Sequence, residues 1–167
     1  MDCRINSSGY GIRSLSPCRI INNTIFDCHN GLWVLNDDNE IFGNLIIDGA
    51  NHAIHLQGDD SLIKGNIVRN WDYGIYLIGG ERNRVQDNSI TNIDDHGIRL
   101  DSSHDNTVID NYAANNDDGI FLKYGSSNNR ISNNSIVSCE EGIHIFDAIY
   151  NEFYGNEMFN CSFYFGM

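Results

Sequence analysis

The sequence predicts an all-β solenoid: a parallel β-helix of about 7–8 coils of about 22 residues, with three short strands in each coil. Three observations predict it. An apolar residue returns at a fixed interval, an asparagine follows it every time, and a glycine-led alternating segment completes each unit. The interval runs from Ile20 through Ile41, Ile63, Val85, Val108 and Ile131 to Phe153, with steps of 21, 22, 22, 23, 23 and 22 residues.

Three positions after each of these stands Asn23, Asn44, Asn66, Asn88, Asn111, Asn134 or Asn156. Two further on comes an apolar side chain, in turn Ile25, Ile46, Val68, Ile90, Ala113, Ile136 and Met158. These two apolar series mark the second and third strands of the coil, and the asparagine marks the turn between them. A short amide there tolerates left-handed backbone and hydrogen-bonds its counterpart in the next coil. Asn39, Asn83, Asn106, Asn129 and Asn151 form a similar column before the second strand, and Asn70, Asn92, Asn115 and Asn160 another after the third.

The first strand is the Gly-Ile-x-Leu segment, seen at residues 31–34, 74–77, 97–100, 119–122 and 142–145, with variants at 11–14 and 53–56. Apolar and polar positions alternate in it, the period of a strand with one buried face. Stacked in register at about 4.8 Å, its Ile54, Ile75, Ile98, Ile120 and Ile143 become one interior column. Leu56, Leu77, Leu100, Leu122 and Ile145 become a second.

Composition narrows the partners. The 167 residues suffice for one domain over 1–167, and a formal charge of −13 argues against nucleic-acid backbones and anionic membranes. No apolar run approaches the length of a membrane span, and no leader pattern opens the chain. The five cysteines lack CxxC spacing, which argues against zinc; Cys139 and Cys161 fall in adjacent coils at a spacing compatible with a disulfide, but buried free thiols are the favoured reading. Neither end carries a polar cap, so the domain is expected to continue into neighbouring domains or to self-associate through its end strands.

Residues 128–145, NNRISNNSIVSCEEGIHI, resemble the repeat of single-stranded right-handed parallel β-helices of the pectate-lyase-like superfamily. The likeness is strongest to NosD-like and carbohydrate-binding or sugar-hydrolase β-helix repeats, and it extends over essentially the whole chain. It implies an extracellular, cell-surface or periplasmic protein that binds or processes a polysaccharide. Two other roles remain open: a structural or assembly solenoid without activity, and a NosD-like factor in copper-site maturation.

The outward positions of the Gly-Ile-x-Leu strands supply the candidate groove. Arg13, Trp33, His55, Tyr76, Arg99, Phe121, His144 and Tyr164 form one column. Rings can stack on sugars, and imidazole and guanidinium groups can bond hydroxyls or carboxylates. The expected substrate contacts are therefore Trp33, His55, Tyr76, Arg99, Phe121, His144 and Tyr164.

Before each glycine run Asp72, Asp95, Asp117 and Glu140, and beside them His52, Tyr73, His96, Asp118 and Glu141. Carboxylates about 5 Å apart repel, so the first series is expected either to share a cation such as Ca²⁺ or to titrate high. If the chain is catalytic, Asp95, Asp117 and Asp118 are the acids or metal ligands, and His96, Arg99 or Lys123 the base or charge stabiliser. Asp117-Asp118 resembles the paired aspartates of polygalacturonases and His96-Gly97 half of their histidine motif. Their order is reversed, and the arginine signature of the lyases and the "DPHD" motif of the epimerases are absent. His96 and His144 lie two coils apart, about 10 Å, which argues against a preformed multi-histidine copper site.

Overall fold

The structure, a computed structural model, describes residues 3–7 and 9–166, with side chains up to residue 162. It is a right-handed parallel β-solenoid of about 7 turns of about 22 residues, and its regular elements are all strands. No helix long and apolar enough to cross a membrane occurs among the described residues.

Every predicted column is found in register. The second strands, from Arg19–Ile21 to Glu152–Tyr154, pair into one seven-stranded parallel sheet in which Ile20, Ile41, Ile63, Val85, Val108, Ile131 and Phe153 align. On the first strands the Ile54 and Leu56 columns align from coil to coil, and Ile54, Ile75, Ile98, Ile120 and their leucine partners are solvent-free. Each such side chain contributes roughly 1.5–3 kcal/mol relative to an exposed one. A solenoid has no other core.

First and third strands share a fourteen-stranded sheet, because in two coils they fuse around the corner. Ser89–Asp101 and Tyr112–Lys123 are single bent strands where three separate short strands per coil are predicted. The register between them shifts between Ile93 and His96, at the extra residue that Asp94 represents. This bulge lies beside the acidic residues.

The glycines that open the first strands permit close approach. A Cβ on Gly119 would lie 2.5 Å from the Gly142 carbonyl oxygen of the next coil and 2.5 Å from Ile136 Cγ2. Left-handed backbone, by contrast, is displaced from its expected place. The ladder asparagines are not left-handed; the residues before them are, at Asn22, Gly43, Gly65, Asp87, Asp110, Asn133 and Gly155. Only at the third corner are Asn70, Asn92, Asn115 and Asn160 themselves left-handed.

The reason is what the ladder amide does. Asn88 Oδ1 accepts from both the main-chain N–H and Nδ2 of Asn66, while Asn88 Nδ2 donates to Ile63 O and Asn111 Oδ1. The side chain thus replaces the main-chain ladder where the turn breaks it, deep enough that Asn88 is 1% exposed. Asn88→Ala takes a partner from four buried polar groups; Asn66 Nδ2 and Asn111 Oδ1 keep others, and the remaining two cost about 1–3 kcal/mol each, less what water recovers. We expect a loss of at least about 3 kcal/mol by urea unfolding, against under about 1 kcal/mol for the half-exposed Thr91→Ala.

Candidate functional site

Two columns on the first-strand face carry the candidate chemistry. Arg13, Trp33, His55, Tyr76, Arg99, Phe121 and His144 are direct cross-coil partners. His52 pairs with Tyr73, and His96, Asp118 and Glu141 pair in succession, beside them. Tyr164 continues the first column in main-chain register; its side chain lies outside the described residues.

The lower coils form an aromatic block. Trp33 and His55 are parallel at 3.7 Å between ring centres, and His52 stacks against Tyr73 at 4.8 Å and Tyr76 at 5.2 Å. The stacking is not uniform along the column: His55 and Tyr76, also direct partners, meet edge to face at 5.4 Å. His55 and Phe121 are buried, at 6% and 4% exposure, while Trp33, Tyr76 and Arg99 are half-exposed. A sugar on this face therefore meets Trp33, Tyr76 and Arg99 before His55 or Phe121.

Burial lowers both imidazoles of the block to about 4, His52 with help from the positive Arg99 and His55 with help from His52. Their Nδ1 atoms are buried without a hydrogen-bond partner among the described residues.

Arg99 divides the face. Its guanidinium sits 4.9 Å from the Tyr76 ring centre and 5.8 Å from that of Phe121, and it donates through Nε and Nη2 to the two oxygens of Asp101 at 3.0 and 2.7 Å. Asp101, 3% exposed, also accepts the Tyr76 hydroxyl at 2.7 Å. Burial and Asp101 together raise the Tyr76 hydroxyl above its ordinary range. Asp101 thus orients two candidate contacts, and sequence reasoning missed it. The available signal was an acid where the neighbouring coils have Ile78 and Lys123.

Lys123 stands five positions along the strand from Asp118, roughly 16 Å. Its ammonium is 4.6 Å from the Tyr124 ring centre and 5.6 Å from those of Phe121 and Phe146. Of the candidates for base or charge stabiliser, the fold brings only His96 to the acids.

The upper coils converge on Asp118, 4% exposed. His96 Nδ1 approaches its Oδ2 at 2.7 Å from the coil before, and His144 Nδ1 approaches both its oxygens at 3.3 Å from the coil after. His96 also lies 2.9 Å from Asp95 Oδ1. Neither His96 contact has hydrogen-bond geometry. Glu141 Oε2 lies 2.6 Å from His144 Nδ1. His96 and His144, two coils apart in the sequence, thus share one carboxylate. A cavity of about 260 Å³ opens over them, lined by His96, Asp117, Asp118, Glu140, Glu141 and His144.

The series Asp72, Asp95, Asp117 and Glu140 runs outside this cluster, with Asp72, Asp117 and Glu140 exposed. Partial burial and then Asp94 and Asp95 raise Asp72; burial and then Asp118 and Glu140 raise Asp117. The group whose donor atoms come within 4.8 Å of one another among the described residues is a different one: Asp118, Glu141 and His144. Sequence reasoning named Asp118 as a catalytic acid or metal ligand and His144 as a substrate contact, and did not join them with Glu141, because Asp118 comes from a different coil.

The family described as periplasmic copper-binding protein (NosD) matches residues 2–165. Among solved structures, a point mutant of the periplasmic alginate epimerase AlgG is similar at 25% identity and a TM-score of 0.77, over 84% of this chain and 35% of that one. An alginate lyase from Paenibacillus sp. str. FPU-7 is similar at 15% identity and a TM-score of 0.65, over 89% of this chain and 65% of that one. The chain thus spans less than two thirds of either structure. No curated protein matches it.

The two low-titrating imidazoles fix a pH response. Both bind protons more weakly in the folded chain than at the ordinary value of 6.5. The stability from burying them neutral is therefore complete above about pH 6.5 and is lost as the pH falls toward 4. Proton NMR titration of the ring C2–H signals should place the His52 and His55 midpoints at about 4. Midpoints near 6.5 would contradict the packing described.

Proposed function

The chain belongs to the NosD family of periplasmic copper-binding proteins, and from that premise we propose that it binds an extended polysaccharide along the first-strand face. The Asp118 cluster is the point at which the polymer is processed. The observation that carries this reading is a strip of half-exposed rings and polar tips that ends at a nearly buried carboxylate held between two imidazoles.

The strip from Arg13 to His144 crosses seven coils in register, roughly 30 Å at the spacing of parallel strands. That is the shape of a polymer site rather than of a pocket for a small molecule. The 25%-identical relative is an alginate epimerase, which adds support for a sugar polymer; the lyase likeness speaks for the fold alone. The family's description and the relative's also support a periplasmic location.

The chemistry open to the cluster is proton transfer. An imidazole that takes a proton beside Asp118 gains an adjacent carboxylate to stabilise it, and the cavity admits a substrate group to that point. Glu141 is raised above the ordinary carboxylate range by burial and by Asp118, against the pull of His144, and so is suited to return a proton. Asp101 acts one step removed, by holding Arg99 and Tyr76 in place.

Copper-site maturation is the next reading, resting on the family's description. Soft Cu⁺ calls for thiolates or thioethers, and Cys28 and Cys139 are buried in the interior. A purely structural solenoid is the reading left if no ligand binds.

Affinity electrophoresis against alginate and a neutral glucan tests the proposal. Trp33→Ala and Tyr76→Ala should each weaken binding about tenfold, about 1.4 kcal/mol, while Thr107→Ala on the opposite sheet leaves it unchanged. Asp118→Asn should retain binding and abolish any change in the polymer's composition or length. Binding to neither polymer would favour the structural reading.

A further inference from the structure

The geometry points to a site for one borderline divalent metal ion, such as Zn²⁺ or Cu²⁺, at Asp118, Glu141 and His144, with His96 completing or orienting the set. The proposal is independent of polymer binding. It also moves the expected metal position inward, from the largely exposed Asp72, Asp95, Asp117 and Glu140 series to the adjacent column.

Three features support it. His144 Nδ1 is 2.6 Å from Glu141 Oε2 and 3.3 Å from Asp118 Oδ2. Ligands held at about 2.1 Å from one ion lie roughly 3 Å apart, so these atoms already stand at coordination spacing. Second, Asp118 is 4% exposed and contacts His96 Nδ1, itself buried and lacking an aligned hydrogen bond. A ring nitrogen so placed can turn to the ion, or fix the ligating carboxylate as a second-layer group does. Third, the cavity above the group gives an ion entry and leaves room for water or a substrate oxygen.

The donor set selects the ion. One imidazole nitrogen with two carboxylate oxygens suits borderline ions, whereas Ca²⁺ takes six to eight oxygens and gains little from a ring nitrogen. A metal here would also relieve the repulsion between Asp118 and Glu141, beside which stand only the imidazoles of His96 and His144 among the contacts described.

Isothermal titration of the untagged, chelator-treated chain with Zn²⁺, Cu²⁺ and Ca²⁺ tests the site. We expect one equivalent of Zn²⁺ or Cu²⁺ bound, with Ca²⁺ at least a hundredfold weaker. Asp118→Asn and Glu141→Gln should each reduce Zn²⁺ affinity at least thirtyfold, with Glu140→Gln unchanged. Urea midpoints identify any variant that fails to fold, and Glu141→Gln, half-exposed in the structure, then carries the test alone. No saturable uptake of either ion, uptake that survives Glu141→Gln, or Ca²⁺ bound as tightly as Zn²⁺ would each overturn the proposal.

Discussion

In-register hydrogen bonding between coils about 4.8 Å apart is the constraint on which everything else in this chain depends. It forces equivalent residues of successive coils into columns, so a choice made in one coil is felt by its neighbours above and below. Isoleucine on isoleucine gives a core that a single coil could not enclose. Asparagine on asparagine keeps buried corners hydrogen-bonded where the main-chain ladder turns away. Glycine admits the carbonyl of the next coil, as Gly119 does for Gly142.

The same constraint makes the outward face chemically dense. Side chains that would be dispersed over a globular surface are pressed to stacking distance, and each charged group must find its partner in another coil or in its own strand. Asp101 is neutralised by Arg99 and bonded by Tyr76 from the coil before. Asp118 is flanked by imidazoles from the coils on either side. Buried carboxylates are costly unless paired in this way, and both are placed where the strand face changes character. Asp101 ends the aromatic block, and Asp118 forms the floor of the cavity.

This division also explains why a shared fold leaves function open. The similar structures share this fold, and the columns that build the solenoid here are interior. Whatever distinguishes one such protein from another lies in the outward columns, where each coil contributes a different side chain.

The sequence by itself determined the solenoid, its period, both interior columns, the asparagine ladders and the membership of the outward columns, because each is a repeated choice and repetition is legible without coordinates. Left-handed backbone was expected one residue too late, at the ladder asparagines, since propensity names the residue type but not which residue of the turn bends. Only the tertiary structure decided how unlike neighbours meet: that Trp33 and His55 cover each other's faces, that Asp101 anchors Arg99, and that His96 and His144 reach one carboxylate from two coils apart. Those contacts depend on side-chain length and rotamer across the 4.8 Å gap, and no period in the sequence encodes them.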